Sequence, residues 1–350
     1  MQSAKLKLGI VGCGSISNLN VPGYLKNPKC VISALCDPLR DRANEKAKQW
    51  GISPKIYENY DDIVSDKDID ALELLSPTPL HAEQIIKALN AGKHVSCQKP
   101  LTSSMSEAER IEKAVLKSGK LFRVTENFLY YPPILKAKQL IESGEIGEPS
   151  LVRIRTIRGK SISPNIGDSD RLLWRKDSHL NPGGNLYDDG WHKYATAVYW
   201  LGNVEKVTSI VTKTGNFLDE TPSAIVMKIA DKDSLVTVDY SSASEMPIRT
   251  KYYPLDEFFE IIGSKGTIWV TRCTGEMLDM APVVVVKGDH TKTYNVPSDW
   301  IEGFNGAADS FINGALNGME TDMDINFSKH ILNIALSIYK SSNEEKTIYL

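Results

Sequence analysis

Residues 5–11 form an apolar run that ends in Gly12-Cys13-Gly14-Ser15-Ile16-Ser17. A strand, a glycine turn and a helix start, in that order, leave few folds open to the chain. The pattern Gly12-x-Gly14-x-x-Ser17 approaches the dinucleotide fingerprint G-x-G-x-x-G. Its first glycine permits a tight turn and its second lets the backbone approach a pyrophosphate. The third allows close helix–strand packing, and Ser17 stands there, small for small. A bound phosphate would sit on the helix N-terminus, cradled by Gly12, Gly14, Ser15 and Ile16. Alone, so short a pattern is weak. The alternation downstream of it adds weight. Apolar runs at 31–36, 71–75, 94–97 and 121–126 alternate with helical patterns at 39–50, 81–91 and 106–118. That alternation predicts a doubly wound parallel sheet.

Such a sheet delivers the carboxyl ends of its strands to a ligand crevice. Asp37 closes the second run, 20 residues beyond Ser17. A carboxylate there accepts the ribose hydroxyls of NAD and repels a 2′-phosphate; the plain alternative is a cap for the next helix. Arg40 and Arg42 leave NADP open. Ser76-Pro77-Thr78-Pro79-Leu80-His81 follows the third run, a stiff loop that would pass under a cofactor or simply turn into a helix. The fourth run ends in Gln98-Lys99-Pro100, where proline stops the strand and sets Lys99 at the crevice mouth. Read without context, Lys99 is one of 41 Lys and Arg residues.

After Asn127 the periodicity changes. A helix over 133–143 leads to strand-like segments at 152–157, 204–212, 224–229, 235–240, 257–262, 267–270 and 283–286, with helices at 191–200, 303–316 and 325–340. This predicts a mostly antiparallel sheet with flanking helices. The expected division is a nucleotide-binding Rossmann domain over 1–127 and a substrate-binding and oligomerisation α+β domain over 128–350. Within the second lies Gly183-Gly184-Asn185-Leu186-Tyr187-Asp188-Asp189-Gly190-Trp191-His192. On a helix, Asp188 and His192 share one face, the arrangement of an acid that orients a general base. Asp189 could also reach the histidine. A structural Asp–His pair at a helix start explains the same spacing.

The formal net charge of −3 offers no basic footprint for nucleic acid or an anionic membrane. The five cysteines are odd in number and include no CxxC pair, so they read as core residues in a reducing compartment, with neither disulfides nor a metal site expected. No apolar run has signal-peptide character or transmembrane length, and a cytoplasmic protein is expected.

Taken together, the segments resemble the Gfo/Idh/MocA family, named for glucose–fructose oxidoreductase and inositol dehydrogenase. The resemblance covers nearly the whole chain. It rests on the N-terminal turn; Asp70-Ala71 through Pro77 and His81; Ala91-Gly92-Lys93-His94-Val95-Ser96-Cys97-Gln98-Lys99-Pro100; Gly144-Glu145-Ile146-Gly147; Trp174-Arg175; residues 183–202; and Gly263-Ser264-Lys265-Gly266-Thr267. It implies a catalytic Lys99, Asp188 and His192. It also implies cofactor contacts from the glycine turn, Asp37, Ser76, Thr78, His81, Gln98, Lys99 and Asn127. Substrate contacts would come from Lys99, Tyr130, Trp174, Arg175, Asp188 and His192, with Arg171, Asn127 and Tyr187 as further candidates. Three positions depart from the family pattern: Gln98 replaces a glutamate beside Lys99, Ala195 a second aspartate, and Tyr130 an arginine of polyol-oxidising members. These bear on the substrate more than on the reaction.

The implied activity is NAD(P)-dependent oxidation of a secondary hydroxyl on a sugar, glycoside or inositol. The expected assembly is a homodimer or homotetramer packed through the C-terminal sheet. An NAD-retaining lyase or hydrolase, or a non-catalytic nucleotide sensor, are the alternatives.

Overall fold

The structure, a computed structural model, describes residues 5–161, 182–212, 220–319 and 321–350. Trp174, Arg175 and Arg171 lie outside these residues. Two compact units are present, one formed by residues 1–127 with 304–332, the other by 128–303 with 333–350.

In the first unit, β1 (Leu6–Val11), β2 (Cys30–Cys36), β3 (Lys55–Tyr57), β4 (Ala71–Leu74), β5 (His94–Gln98) and β6 (Phe122–Thr125) form a six-stranded sheet in the order β3-β2-β1-β4-β5-β6. Every strand pair is parallel. The crossovers carry α1 (Ser17–Lys26), α2 (Arg40–Trp50), α3 (Tyr60–Ser65), α4 (His81–Asn90) and α5 (Met105–Ser118). This is the predicted doubly wound sheet, with its switch point between β1 and β4. Helices cover both faces, so strand residues of either parity are apolar: Leu8, Ile10, Leu35, Leu72, Val95 and Val124 are all fully buried. Each such side chain contributes about 1.5–3 kcal/mol on burial.

One strand breaks the apolar rule. Arg123 in β6 is fully buried, its guanidinium 5.0 Å from the Phe311 ring and its Nε donating to Ser96 Oγ at 3.1 Å. Nearby, Glu73 accepts from Tyr24 Oη at 2.5 Å and Thr125 Oγ1 at 3.0 Å. The core of this unit therefore contains a hydrogen-bonded polar cluster. All five cysteines are buried and free.

A single cut at residue 127 does not describe the division. Residues 304–332 return to the first unit through α9 (Ile301–Asn317) and the start of α10 (Ile325–Glu344). The reason is packing. Ala308, Phe311 and Ile312 join the core cluster of Val21 and Tyr24. Helix α1 approaches so closely that a Cβ on Gly23 would lie 2.7 Å from Ala308 Cβ.

The second unit begins with α6 (Pro132–Glu142) and β7 (Pro149–Ser161), then α7 (Asn185–Asp188) and α8 (Gly190–Leu201). Its remaining strands are β8 (Val204–Val211), β9 (Ser223–Ile229), β10 (Leu235–Ile248), β11 (Leu255–Gly263), β12 (Gly266–Val270), β13 (Val283–Lys287), β14 (His290–Tyr294) and β15 (Ile348–Tyr349). The nine-stranded order is β14-β13-β12-β11-β7-β10-β9-β8-β15. The β7–β10 pair is parallel and the others are antiparallel, as the period-two segments predict. One face buries Val152, Ile154, Val236, Val238, Phe259 and Ile261. The opposite face carries Arg153–Glu260 and Arg155–Asp256 ion pairs beside Leu235 and Val226, both partly open to solvent.

Candidate active site

The nucleotide cradle is built in the first unit. Gly12 has φ +93°, and a Cβ there would lie 2.8 Å from the carbonyl carbon and oxygen of Leu75. Only glycine fits where the ends of β1 and β4 meet. Around Gly14 the reverse holds: a Cβ would find nothing within 4 Å. Its backbone is open to a ligand. Ser17 is buried and its hydroxyl donates to Gly14 O at 2.6 Å, so the serine braces the turn while filling the third glycine's place. The start of α1 has no side-chain cap and no acidic residue in its first turn, so no carboxylate there opposes an anion at the positive end of the helix.

Asp37 is buried at the end of β2. Its Oδ2 accepts from the Cys13 N–H at 2.9 Å and its Oδ1 from the Leu39 N–H at 2.9 Å. It therefore ties β2 to the glycine turn. It does not cap α2, whose N-cap position is Leu39. Arg42 lies 3.4 Å from the same carboxylate, and Arg40 is paired with Glu58 at 3.0 Å. Both arginines that leave NADP open are thus engaged by carboxylates.

At the carboxyl ends of β4 to β6 the expected residues take different parts. Ser76 Oγ donates to Gln84, and Thr78 is buried. His81 is 1% exposed, with Nε2 2.9 Å from Ser76 O and Nδ1 3.0 and 3.2 Å from Pro100 O and Leu101 O. Burial holds its pKa below the ordinary imidazole value, against the pull of those carbonyls. It clips the loop after β4 to the loop beside Lys99, and both ring nitrogens face backbone carbonyls. Gln98 Oε1 accepts the Lys99 N–H at 2.7 Å, and Lys99 is half-buried. Asn127 is buried with its Nδ2 lacking a hydrogen-bond partner. An orphaned buried donor in the unit that carries the open glycine turn fits an amide-bearing dinucleotide.

The acid–base cluster is built in the second unit. The backbone stays helical through Asp189, the joint between α7 and α8, with φ −78° and ψ −35°. Asp188 and His192 therefore lie four residues apart on one helical path. His192 is 6% exposed and stacks on Phe128, with ring centroids 4.3 Å apart and planes 11° apart. Asp189 is engaged elsewhere, with Lys193 Nζ at 2.9 Å and Tyr240 Oη at 2.7 Å. Tyr187, a further substrate candidate, is buried. Tyr130 is half-buried. Among the described residues, no group of three or more His, Cys, Asp or Glu side chains could hold a metal ion.

Two features of this cluster carry no local sequence signal. Trp300 presents an edge to Phe128 at 6.4 Å and packs on Tyr252 at 5.2 Å, extending an aromatic wall from His192. Glu220, buried, accepts from the Gly184 N–H at 2.9 Å, the Leu186 N–H at 2.8 Å and Tyr339 Oη at 2.9 Å. It anchors the turn into α7, and a Cβ on Gly183 would lie 2.2 Å from the Tyr339 ring. Glu220→Gln is expected to cost about 1–3 kcal/mol, because its amide faces N–H donors. A urea midpoint equal to the parent's would contradict that anchoring role.

A doubly wound sheet with this cradle at its switch point defines a nicotinamide dinucleotide-binding protein, and the comparisons give the class. Residues 6–126 match the family model described as "Oxidoreductase family, NAD-binding Rossmann fold", and residues 134–269 match the GFO/IDH/MocA C-terminal domain. The chain belongs to the Gfo/Idh/MocA family of NAD-binding oxidoreductases. It is 30% identical over 267 residues to the uncharacterized oxidoreductase YrbE of Bacillus subtilis, covering 74% of this chain and 72% of that one. It is 29% identical to the scyllo-inositol 2-dehydrogenase (NAD(+)) of the same organism, covering 77% and 73%. The fold is shared with levoglucosan dehydrogenase solved with NADH and levoglucosan, at a TM-score of 0.84, 20% identity and 99% coverage of both chains.

Proposed function

We propose that the protein oxidises a secondary hydroxyl of a sugar, glycoside or inositol, with NAD preferred over NADP. The observation that carries this reading is His192: a nearly buried imidazole held flat against Phe128, mounted one helical turn after Asp188. NAD⁺, when bound, supplies the hydride acceptor. His192 takes the hydroxyl proton as general base. Asp188 orients the imidazole and stabilises its cation as it forms. Lys99, half-buried after β5, serves as a hydrogen-bond donor to developing negative charge. Asn127 Nδ2 and the Gly12–Gly14 turn hold the dinucleotide, and the Asp37 carboxylate disfavours a 2′-phosphate. Half-buried Tyr130 offers aromatic surface to the C–H face of a ring. Kinship with inositol dehydrogenases supports a polyhydroxylated ring as substrate.

The second sheet's outer face supports assembly as a homodimer or homotetramer. Apolar residues there alternate with ion pairs of both signs, and a second copy would cover them sheet to sheet. Among the described residues no helix is long and apolar enough to cross a membrane.

The test is a panel of sugars, glycosides and inositols, each run with NAD and with NADP, read at the absorbance of the reduced nicotinamide. Accumulation of NADH with one compound class is expected. Turnover without accumulation points to the NAD-retaining lyase or hydrolase, and silence across the panel refutes the dehydrogenase.

A further inference from the structure

Lysine is almost never fully buried, and replacing a buried ion pair by apolar side chains is often neutral or stabilising. Stability alone therefore does not account for Lys193, whose side chain is wholly buried next to His192 in the chain. Its ammonium lies 2.9 and 3.0 Å from the two Asp189 oxygens and 3.2 Å from Glu257 Oε1. Each carboxylate is pinned from its other side. Asp189 Oδ2 also accepts from Tyr240 Oη at 2.7 Å, and Glu257 Oε2 accepts from the Thr274 N–H at 3.0 Å. Burial opposes the charge on Lys193, but Asp189 and Glu257 outweigh it and hold the ammonium protonated above its ordinary range. Burial likewise opposes ionisation of Asp189, and Lys193 and then His192 offset it, so that carboxyl sits below its ordinary value.

Two links run from this triad to the imidazole. Asp189 is the joint between α7 and α8, and its carbonyl accepts the His192 N–H at 3.1 Å. Fixing the Asp189 side chain fixes the backbone on which His192 is mounted. The Lys193 ammonium also lies 5.0 Å from the centroid of the Phe128 ring, a cation–π distance. That is the ring on which His192 stacks. One buried cation thus restrains both the mount of the histidine and the surface that sets its plane.

We propose that Lys193 is a positioning residue for His192, acting through Asp189 and the Phe128 ring to hold the imidazole in a single orientation. The consequence for turnover rests on the reading of His192 as general base; the consequence for the imidazole itself does not.

The test uses protein labelled with ¹⁵N-histidine, the His192 signals being assigned by their loss in His192→Asn. Lys193→Met with Glu257→Gln removes the ammonium yet leaves the triad's net charge unchanged. Phe128→Leu leaves the triad intact and removes the ring. In both variants the His192 ring signals are expected to shift or broaden, with kcat about 10²-fold lower, the scale of a 1 Å misplacement, and unchanged NAD affinity. His192 signals superimposing on the parent's in either folded variant would overturn the proposal. Full turnover by His192→Asn, with the signals still displaced in the other two, would overturn the general-base reading and leave the positioning role standing.

Discussion

Replacing His192 with alanine is expected to lower kcat by about 10²–10⁴-fold, the range a positioned general base contributes. Affinity for NAD should stay within a small factor. The reason for the split is structural. His192 belongs to the second compact unit, whereas Gly12, Gly14, Asp37 and Asn127 belong to the first. On the proposed roles, removing the imidazole takes away the proton acceptor and leaves the glycine turn of the first unit unaltered. Steady-state turnover with a substrate from the panel, beside an equilibrium NAD titration, separates the two quantities. Parent-like turnover would show that the proton leaves by another route.

Asp37→Ala should do the opposite, weakening NAD binding by about 10- to 100-fold. Its carboxylate has a second part beside the proposed ribose contact. It holds the Cys13 and Leu39 N–H groups, both at 2.9 Å, and so shapes the glycine turn from behind. Hydrogen bonds to a charged group are worth about 1.5–3 kcal/mol each, and 1.4 kcal/mol is tenfold in affinity. Loss of one such bond's worth of preorganisation gives the lower figure and loss of two exceeds the upper. The same substitution frees Arg42, so NADP should lose less affinity than NAD. Unchanged NAD affinity would mean the ribose is held elsewhere and the turn keeps its shape unaided.

The parallel sheet was legible because its strands are covered on both faces. Residues 31–36 and 71–75 are apolar at nearly every position, and β2 and β4 lie there. The shorter or polar strands were not. β3 spans only three residues, Lys-Ile-Tyr, and β14 is an exposed edge, His-Thr-Lys-Thr-Tyr, with no buried face to impose alternation. The return of residues 304–332 to the first unit was hidden as well. Phe311 reads as the apolar face of an amphipathic helix, and nothing local says which core receives it.

The candidate site divides along similar lines. Gly12, Asp37, Lys99, Asp188 and His192 stand out because each carries a local pattern: a turn, a strand end or an i, i+4 spacing. Glu220 lies 34 and 36 residues from the N–H groups it anchors, and Glu257 lies 64 from Lys193. Their meaning is tertiary. His81 shows the converse: its place in the loop is legible, but that its two nitrogens face the protein's own carbonyls is not.

The central claim is that a carbinol hydrogen leaves the substrate as hydride. The most direct measurement takes the panel compound with the highest kcat/KM, prepared with deuterium on its carbinol carbons, and examines the reduced nicotinamide by mass spectrometry. One deuterium is expected in each NADH formed, with turnover slower than for the undeuterated compound. Product formed with no deuterium in the nicotinamide would contradict it.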